Sequence, residues 1–148
     1  MADDMAQDRR TRIGRAFVGG IPHARALNLS LVEVGPGRAV IEMPFDSALV
    51  GDPEAGVIHG GAVFTLMDTS AGAAVMAHDS APDGTATLDL RIDYMRSARP
   101  GQALRAVAEC YHVTRSVAFV RVETRDGDDA RPVAVATGAF TLMGGAGS

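Results

Sequence analysis

The sequence predicts an α+β fold in which a mainly antiparallel sheet packs around one long helix. Residues 59–78 are apolar on almost every side, as expected of a helix that is buried on most of its faces. Two strand-like segments precede this helix and four follow it, which is the order of elements typical of an α+β protein. Turn residues separate the strand-like segments, which favours antiparallel neighbours.

Before the long helix, local patterns predict four elements. A short helix is predicted over residues 10–19, after a polar start that is expected to be frayed. Leucines alternate with polar residues over 27–31, which predicts the first strand. The turn signal Gly-Pro-Gly then precedes a returning strand over 38–45, and 47–55 is predicted to be a loop.

The long helix is predicted from His59 to about His78, and residues 80–84 break it. Small residues along it allow a sheet to pack closely: Gly61, Ala62, Ala71, Gly72, Ala73 and Ala74. Four further strands are predicted over 85–95, 103–113, 116–125 and 133–143. We therefore expect a single domain over 25–143, an N-terminal segment over 1–24 and a flexible tail over 144–148.

Composition restricts the classes of function. The 148 residues are enough for one domain with its own core, and 47% hydrophobic with 22% charged residues is ordinary for a globular protein. The net charge of −4 argues against a nucleic-acid surface. No apolar run approaches the roughly 20 residues that span a membrane, and no signal-peptide pattern is present. With Cys110 as the single cysteine, we expect a cytoplasmic protein.

The strongest chemical signal lies at the start of the long helix. His59, Gly60 and Gly61 occupy this position, where backbone N–H groups have no partner within the helix. Because glycine adds no side chain, these N–H groups can approach an anion, including one that forms only in a transition state. The pattern predicts an oxyanion hole, although paired glycines also permit close backbone packing.

Asp68 lies more than two turns further along the same helix, among apolar residues. A carboxylate buried there is costly unless something uses it, which indicates a catalytic group or one bonded to a neighbouring hydroxyl. Gly60 and Asp68 lie roughly 12 Å apart along the helix axis, too far to act on one carbonyl. Two such helices packed antiparallel would bring Gly60 of one chain near Asp68 of the other. The sequence therefore favours a homodimer with active sites at its interface.

A family resemblance rests on the motif G-x-x-HGG-x-x-x-x-L-x-D-x-x-x-G-x-A over residues 56–74. In this motif the chain resembles the hotdog-fold acyl-CoA thioesterases of the PaaI (phenylacetic acid degradation) type. The likeness continues through 87–90 and 94–96 to Gly101 and covers about residues 25–143. It implies a hotdog fold and hydrolysis of acyl-CoA or aryl-CoA to free acid and CoA. It implies that no metal and no cofactor are needed, since CoA is part of the substrate. It also implies assembly as a homodimer or homotetramer.

The resemblance also implies roles for individual residues. Asp68 matches the family's acid and would act as nucleophile or general base, while the Gly60 N–H would stabilise the oxyanion. His59 would orient the thioester or support the loop, and the Thr87 hydroxyl would hold the attacking water or the carboxylate. Asp52 departs from the pattern, because the family often has Asn or Gln in that loop and an ionised carboxylate cannot donate a hydrogen bond.

Other residues are predicted to bind the two ends of the substrate. An apolar pocket beside the helix would take the acyl or aryl group, with Phe64 and Met67 as lining residues. Arg96, Arg99 and Arg115 would suit the CoA phosphates, because guanidinium groups match phosphate oxygens. The resemblance supports Arg115, which lies in a turn where the family often has a basic residue. The alternative for each arginine is a solvated surface position.

Two other functions on the same fold stay open at this point. A hotdog hydratase or dehydratase would pair a histidine with an acid to move protons beside a thioester. A non-catalytic acyl-CoA-binding protein would lack the acid, and Asp68 is present. The spacing from HGG to Asp fits the thioesterase pattern better than either alternative. The thioesterase is therefore the leading hypothesis.

Overall fold

A computed structural model describes residues 1–127 and 130–145. Within these residues the elements run in the order α1 (Ala2–Gly19), α2 (Pro22–Ala26), β1 (Ser30–Gly35), β2 (Arg38–Met43), β3 (Val50–Asp52), β4 (Val57–Ile58), α3 (Gly60–Met76), β5 (Thr87–Tyr94), β6 (Leu104–Val113), β7 (Val117–Asp126) and β8 (Ala134–Thr141). In this described part, six strands form one antiparallel sheet in the order β1-β2-β6-β7-β8-β5. Strands β3 and β4 form a separate ribbon that leads into α3. The predicted α+β class is confirmed.

The core lies between α3 and the sheet. On the helix, Leu66 and Met67 are fully buried, as are Ala71, Ala73 and Ala74. The sheet contributes buried side chains from several strands, among them Ile41, Ala106, Val120 and Phe140. Small residues on both surfaces bring the backbones of helix and strands close together, so α3 is held as a rigid body against the sheet.

The N-terminal helix is longer than predicted. It begins at Ala2, whereas residues 1–10 were expected to be frayed. Asp3 and Asp4 in its first turn complement the helix dipole, and the helix packs against β1 and α3. The side chain of Leu31 lies where a Cβ on Gly14 would be, which lets α1 approach β1 closely. Contacts with β1 and α3 thus accompany a helix whose first ten residues are mostly polar.

The first strand begins later in the chain than the leucine pattern over 27–31 predicts. β1 begins at Ser30, while Leu27 and Leu29 are buried outside it on either side of a turn. Asn28 has a φ of 54° and forms this turn, and asparagine tolerates that left-handed conformation better than most residues. The alternation of leucines with polar residues over 27–31 therefore reflects leucines buried on either side of a turn, and it does not mark a strand over that whole range. The remaining predicted strands and the long helix agree with the structure to within a few residues.

Two other predicted segments differ in detail. The predicted loop over 47–55 contains a 3-10 turn, Ser47–Leu49, as well as β3. Of the predicted tail, residues 146–148 lie outside the described residues, and the backbone N–H of Gly145 lies 3.3 Å from Asp83 Oδ2. The division of the chain into segments 1–24, 25–143 and 144–148 stays a prediction.

Asp126, which follows the predicted strand 116–125, is a fully buried carboxylate at the end of β7. Its two oxygens accept hydrogen bonds from the Arg96 guanidinium at 3.0 and 2.6 Å. The Arg99 backbone N–H donates to the same group at 2.7 Å. These bonds outweigh burial and lower the pKa of Asp126 to about 2. The interaction ties the loop that follows β5 to the sheet.

We predict that Asp126→Asn destabilises the protein at pH 7 by about 3 kcal/mol, because a buried ion pair loses one partner. The pKa of the folded carboxyl, about 2, lies below its ordinary value of 3.8. Its stabilising contribution is therefore present above pH 4 and is lost as the pH falls towards 2. Urea unfolding at several pH values measures this difference. A gap between wild type and variant that stayed constant from pH 7 to pH 2.5 would contradict the assignment.

Candidate active site

His59 fixes the start of α3. Its backbone is extended, with φ −60° and ψ 136°, and its Nδ1 accepts the Gly61 N–H at 2.8 Å. The His59 N–H in turn donates to the Leu49 carbonyl at 2.8 Å, which joins the helix start to the preceding loop. The imidazole is thus an N-cap for the helix. Its predicted role toward a substrate stays a prediction.

The backbone N–H of Gly60 is not used by the His59 cap. Within the described residues its N–H has no hydrogen-bond partner, whereas the neighbouring Gly61 N–H is used by the cap. The Gly60 carbonyl accepts the Tyr94 hydroxyl at 2.8 Å. A cleft of about 360 Å³ opens at this position, between Val63 on the helix and Tyr94 and Ala98 beyond β5. An unpartnered N–H at a helix start, facing a cleft, can stabilise a developing oxyanion.

Asp68 lies further along α3, at the other end of β5. Its Oδ1 accepts the Thr87 hydroxyl at 2.7 Å, so the two residues predicted from the sequence as acid and hydroxyl partner meet. The carboxylate is only partly buried, which corrects the expectation of a buried group. The reason is that it faces an open cleft of about 390 Å³ between α3, the N-terminal helices and the start of β5.

Of the two predicted lining residues, the structure places one in the cleft. Phe64, one helical turn before Asp68, is 39% exposed and contributes to the wall. Met67 is fully buried in the core, which corrects its assignment. It precedes Asp68 by one residue and therefore lies about 100° around the helix, on the side that faces the sheet.

Asp52 caps a local turn, and its predicted substrate contact stays a prediction. Its Oδ1 accepts the backbone N–H groups of Glu54 and Ala55 at 3.1 and 3.4 Å. The side chain therefore caps the turn that joins β3 to β4. A carboxylate suits this position because it accepts two hydrogen bonds at once, and the departure from the family pattern at this site has a local structural explanation.

The three predicted phosphate-binding arginines lie in different places. Arg96 binds Asp126 and the Arg131 carbonyl, so the structure gives it a structural role where phosphate binding was predicted. Arg99 is exposed in the loop after β5, near the Tyr94 end of that strand. Arg115 is exposed in the β6–β7 turn, at the end of the sheet where Thr87 begins β5.

Sequence reasoning missed several residues around the two clefts. Tyr94 donates a hydrogen bond to the Gly60 carbonyl. It lies in the region of resemblance, but nothing in the sequence pattern indicated a role in the site. Partial burial raises the pKa of its hydroxyl. From the N-terminal helices, Phe17, Ile21 and His23 line the Asp68 cleft. His23 Nε2 lies 3.1 Å from Thr65 Oγ1. Only contacts between residues distant in the chain reveal these positions.

Strand β5 connects the two parts of the site and lies at the edge of the sheet. It pairs with β8 on one side, and its other edge has no partner strand among the described residues. Leu88, Tyr94 and Met95 on or beside it are each more than half exposed. Exposed edge strands with apolar side chains are places where another chain can pair.

The described residues contain neither a cluster of metal ligands nor a membrane-spanning helix. In residues 1–127 and 130–145, histidine, cysteine and acidic side chains form no group of three or more that could hold a metal ion. None of the helices in that same part of the chain combines the length and apolar character needed to cross a membrane. The expectation that the reaction needs no metal or cofactor stays a prediction.

Comparison with known proteins gives consistent results. A family model described as the thioesterase superfamily matches residues 55–133. The medium/long-chain acyl-CoA thioesterase YigI of Salmonella typhimurium is 27% identical over 129 residues, which cover 78% of this chain and 83% of that protein. A Pseudomonas aeruginosa protein of known crystal structure is 36% identical, with a TM-score of 0.81 over 90% of this chain and 99% of that one.

A further structure shows the fold alone. The Escherichia coli PaaI protein from the phenylacetic acid degradation operon is 21% identical, with a TM-score of 0.83 over 95% of this chain and 97% of that chain. The α+β architecture predicted from the sequence, with its six-stranded sheet and long helix, is thus shared with PaaI.

Proposed function

The chain belongs to the thioesterase superfamily and is a thioester hydrolase of the PaaI-type hotdog group, and on this premise we propose how it hydrolyses acyl-CoA. In the proposed site, Asp68 of one subunit activates the nucleophile or attacks the thioester itself. The Gly60 N–H of a second subunit stabilises the oxyanion, and Thr87 orients Asp68. The functional unit is a homodimer.

The arrangement at the two ends of β5 carries this proposal. The strand begins at Thr87, which donates to Asp68, and ends at Tyr94, which donates to the Gly60 carbonyl. If the free edges of two β5 strands pair antiparallel about a two-fold axis, the start of one strand lies beside the end of the other. Asp68 of each subunit then approaches Gly60 of its partner, and two equivalent sites form.

One chain alone does not bring these groups together. Gly60 and Asp68 are separated along α3 by roughly 12 Å at about 1.5 Å per residue. A reacting carbonyl needs its oxyanion donor and its acid or base within about 3 Å each. Because α3 is held rigidly against the sheet, bending the helix cannot shorten the separation. A second subunit supplies the missing half.

The charges along β5 suit pairing with a second copy. Asp89 and Arg91 lie on the same face of the strand, and both are exposed. With Leu90 of both subunits on the two-fold axis, each Asp89 lies opposite the partner's Arg91, and opposite charges across strands are favourable. Pairing also covers Leu88, which is 58% exposed in the single chain. Both effects favour an isologous dimer through this edge.

The chemistry follows from the positions of these groups. Asp68 accepts a proton from water as the water attacks the thioester carbonyl, or its own oxygen attacks and water opens the resulting anhydride. In both routes the carbonyl oxygen becomes negative, and the Gly60 N–H together with the dipole of α3 stabilises it. The tetrahedral intermediate collapses with loss of the CoA thiolate, and the products are the free acid and CoA.

The remaining arginines are proposed to bind CoA. Arg115 lies at the Thr87 end of the sheet and Arg99 at the Tyr94 end. In the proposed dimer, Arg115 of one subunit and Arg99 of its partner lie at the same site. Guanidinium groups bind phosphate oxygens in a fork-like geometry, so this pair suits the phosphates of CoA.

We predict that Asp68→Asn lowers kcat for thioester hydrolysis by roughly two orders of magnitude or more, the scale of losing a general base. A thiol reagent measures CoA release from a panel of acyl- and aryl-CoAs. Asp8→Asn serves as control, because this exposed residue of α1 undergoes the same chemical change far from the cleft. Binding of CoA ligands without thiol release by the wild type would favour a non-catalytic binder, and hydration of an enoyl-CoA would favour a hydratase.

A second prediction concerns the oxyanion donor. Gly60 is the first residue of α3, a position where proline is well tolerated, and His59 before it already has the extended backbone that precedes proline. Gly60→Pro therefore removes the N–H while the helix is retained, and kcat should fall by about 10²- to 10³-fold.

Gly60→Ala is the matched control for this variant. It keeps the N–H and adds a Cβ that would lie 3.4 Å from the Tyr94 ring, an ordinary contact. Circular dichroism and thermal unfolding show whether the helix is retained in both variants. Equal activity of the proline and alanine variants would exclude the Gly60 N–H as the donor.

A further inference from the structure

We propose that the N-terminal arm, residues 2–26 with α1 and α2, forms the binding wall for the acyl group. We further propose that Phe17 of this arm limits acyl length, so that the enzyme prefers short aliphatic or single-ring aryl groups. This inference rests on the proposed function and deepens it. The wall comes from residues outside the segment 55–133 that matches the thioesterase family model.

The lining of the Asp68 cleft suits an acyl chain better than CoA. Four large apolar side chains contribute to it: Phe17, Ile21, Phe64 and Phe140. Among the described residues that line this cleft, none is an arginine or lysine, so phosphate binding has no counter-charge there. Asp68, bonded to Thr87, is the one carboxylate among the described lining residues, and the other polar lining residues are His23, Thr65, Thr69 and Thr85. An acyl group fits this lining, because its apolar tail can contact the apolar side chains while its carbonyl lies near Asp68 and Thr87.

The position of Phe17 sets the depth of the cleft. Gly72 follows Asp68 by one helical turn, about 6 Å along α3. The Phe17 ring lies directly over Gly72, so that a Cβ added to Gly72 would come within 2.8 Å of Phe17 Cε1. An acyl tail that starts at Asp68 and runs along α3 therefore meets the Phe17 ring after about one turn. Only compact acyl groups fit in this space.

Several contacts hold the arm in place, so it forms a fixed wall. His23 of the arm lies 3.1 Å from the Thr65 hydroxyl of α3, and Ala24 beside it is fully buried. At the other end of the arm, Arg10 bonds to Asp79 at 2.5 Å. Val18 packs against the core next to Phe17. A ring anchored in this way can discriminate between chain lengths, because the site cannot widen without breaking these contacts.

Two substitutions with opposite effects test the proposal. Phe17→Ala opens the cleft beyond Gly72, so kcat/KM for long-chain acyl-CoA should rise by about tenfold or more relative to short chains. Gly72→Ala forces the Phe17 ring to move and should shift the preference toward shorter groups. The double variant Phe17→Ala/Gly72→Ala should follow Phe17→Ala, because the ring that Gly72→Ala displaces is absent.

The assay measures kcat/KM for a series from acetyl-CoA to palmitoyl-CoA, with phenylacetyl-CoA added. Val32→Ala is the control, since it truncates an exposed apolar side chain of β1 that does not line the cleft, and it should keep the wild-type profile. Phe17→Leu retains a smaller apolar side chain and should give an intermediate profile, which protects the test against a poorly folded alanine variant.

Each outcome bears on a different claim. A wild type that prefers palmitoyl-CoA, or a Phe17→Ala profile identical to that of Val32→Ala, would overturn the acyl-wall proposal while leaving thioester hydrolysis intact. Absence of thiol release by the wild type from every thioester would overturn the proposed function, and the acyl wall with it. Opposite shifts in Phe17→Ala and Gly72→Ala would support both.

Discussion

The close packing of α3 against the sheet is the constraint on which the site depends. Fully buried small residues such as Ala71, Ala73 and Ala74 let the helix and strands approach closely at these positions. The helix is therefore a rigid support that holds Gly60 and Asp68 at a fixed separation. In the proposed mechanism that rigidity positions each group, and it keeps the two groups of one chain too far apart to act on one carbonyl.

In the proposed dimer, the edge strand β5 is the element through which a second subunit supplies the missing group. Each end of the strand contacts one of the two groups, through Thr87 and through Tyr94. In the proposed dimer, antiparallel pairing of two such strands places the start of one beside the end of the other, so the symmetry that joins the subunits also completes both sites. The Asp126–Arg96 ion pair supports the same region, because it holds the loop that follows Tyr94. Fold, assembly and chemistry thus depend on a few contacts around one strand.

The sequence predicted what is encoded locally and missed what depends on tertiary contacts. The helix start at His59 and the Asp68–Thr87 pair follow from a short motif and its family resemblance, and both lie where expected in the fold. Met67 was misplaced because a nearly uniform apolar helix gives no signal for which side faces the core. Phe17 could not be assigned to the site, because only the packing of α1 on Gly72 brings it there.

Mixing two inactive variants tests the shared site most directly. Asp68→Ala and Gly60→Pro each lack one half of the proposed site, so each homodimer should be inactive. A heterodimer of the two has one site with both native groups, and random reassortment should restore about a quarter of wild-type activity. Recovery of thiol release on co-refolding the two variants would support a site shared between subunits. A mixture that forms heterodimers and stays inactive would contradict it.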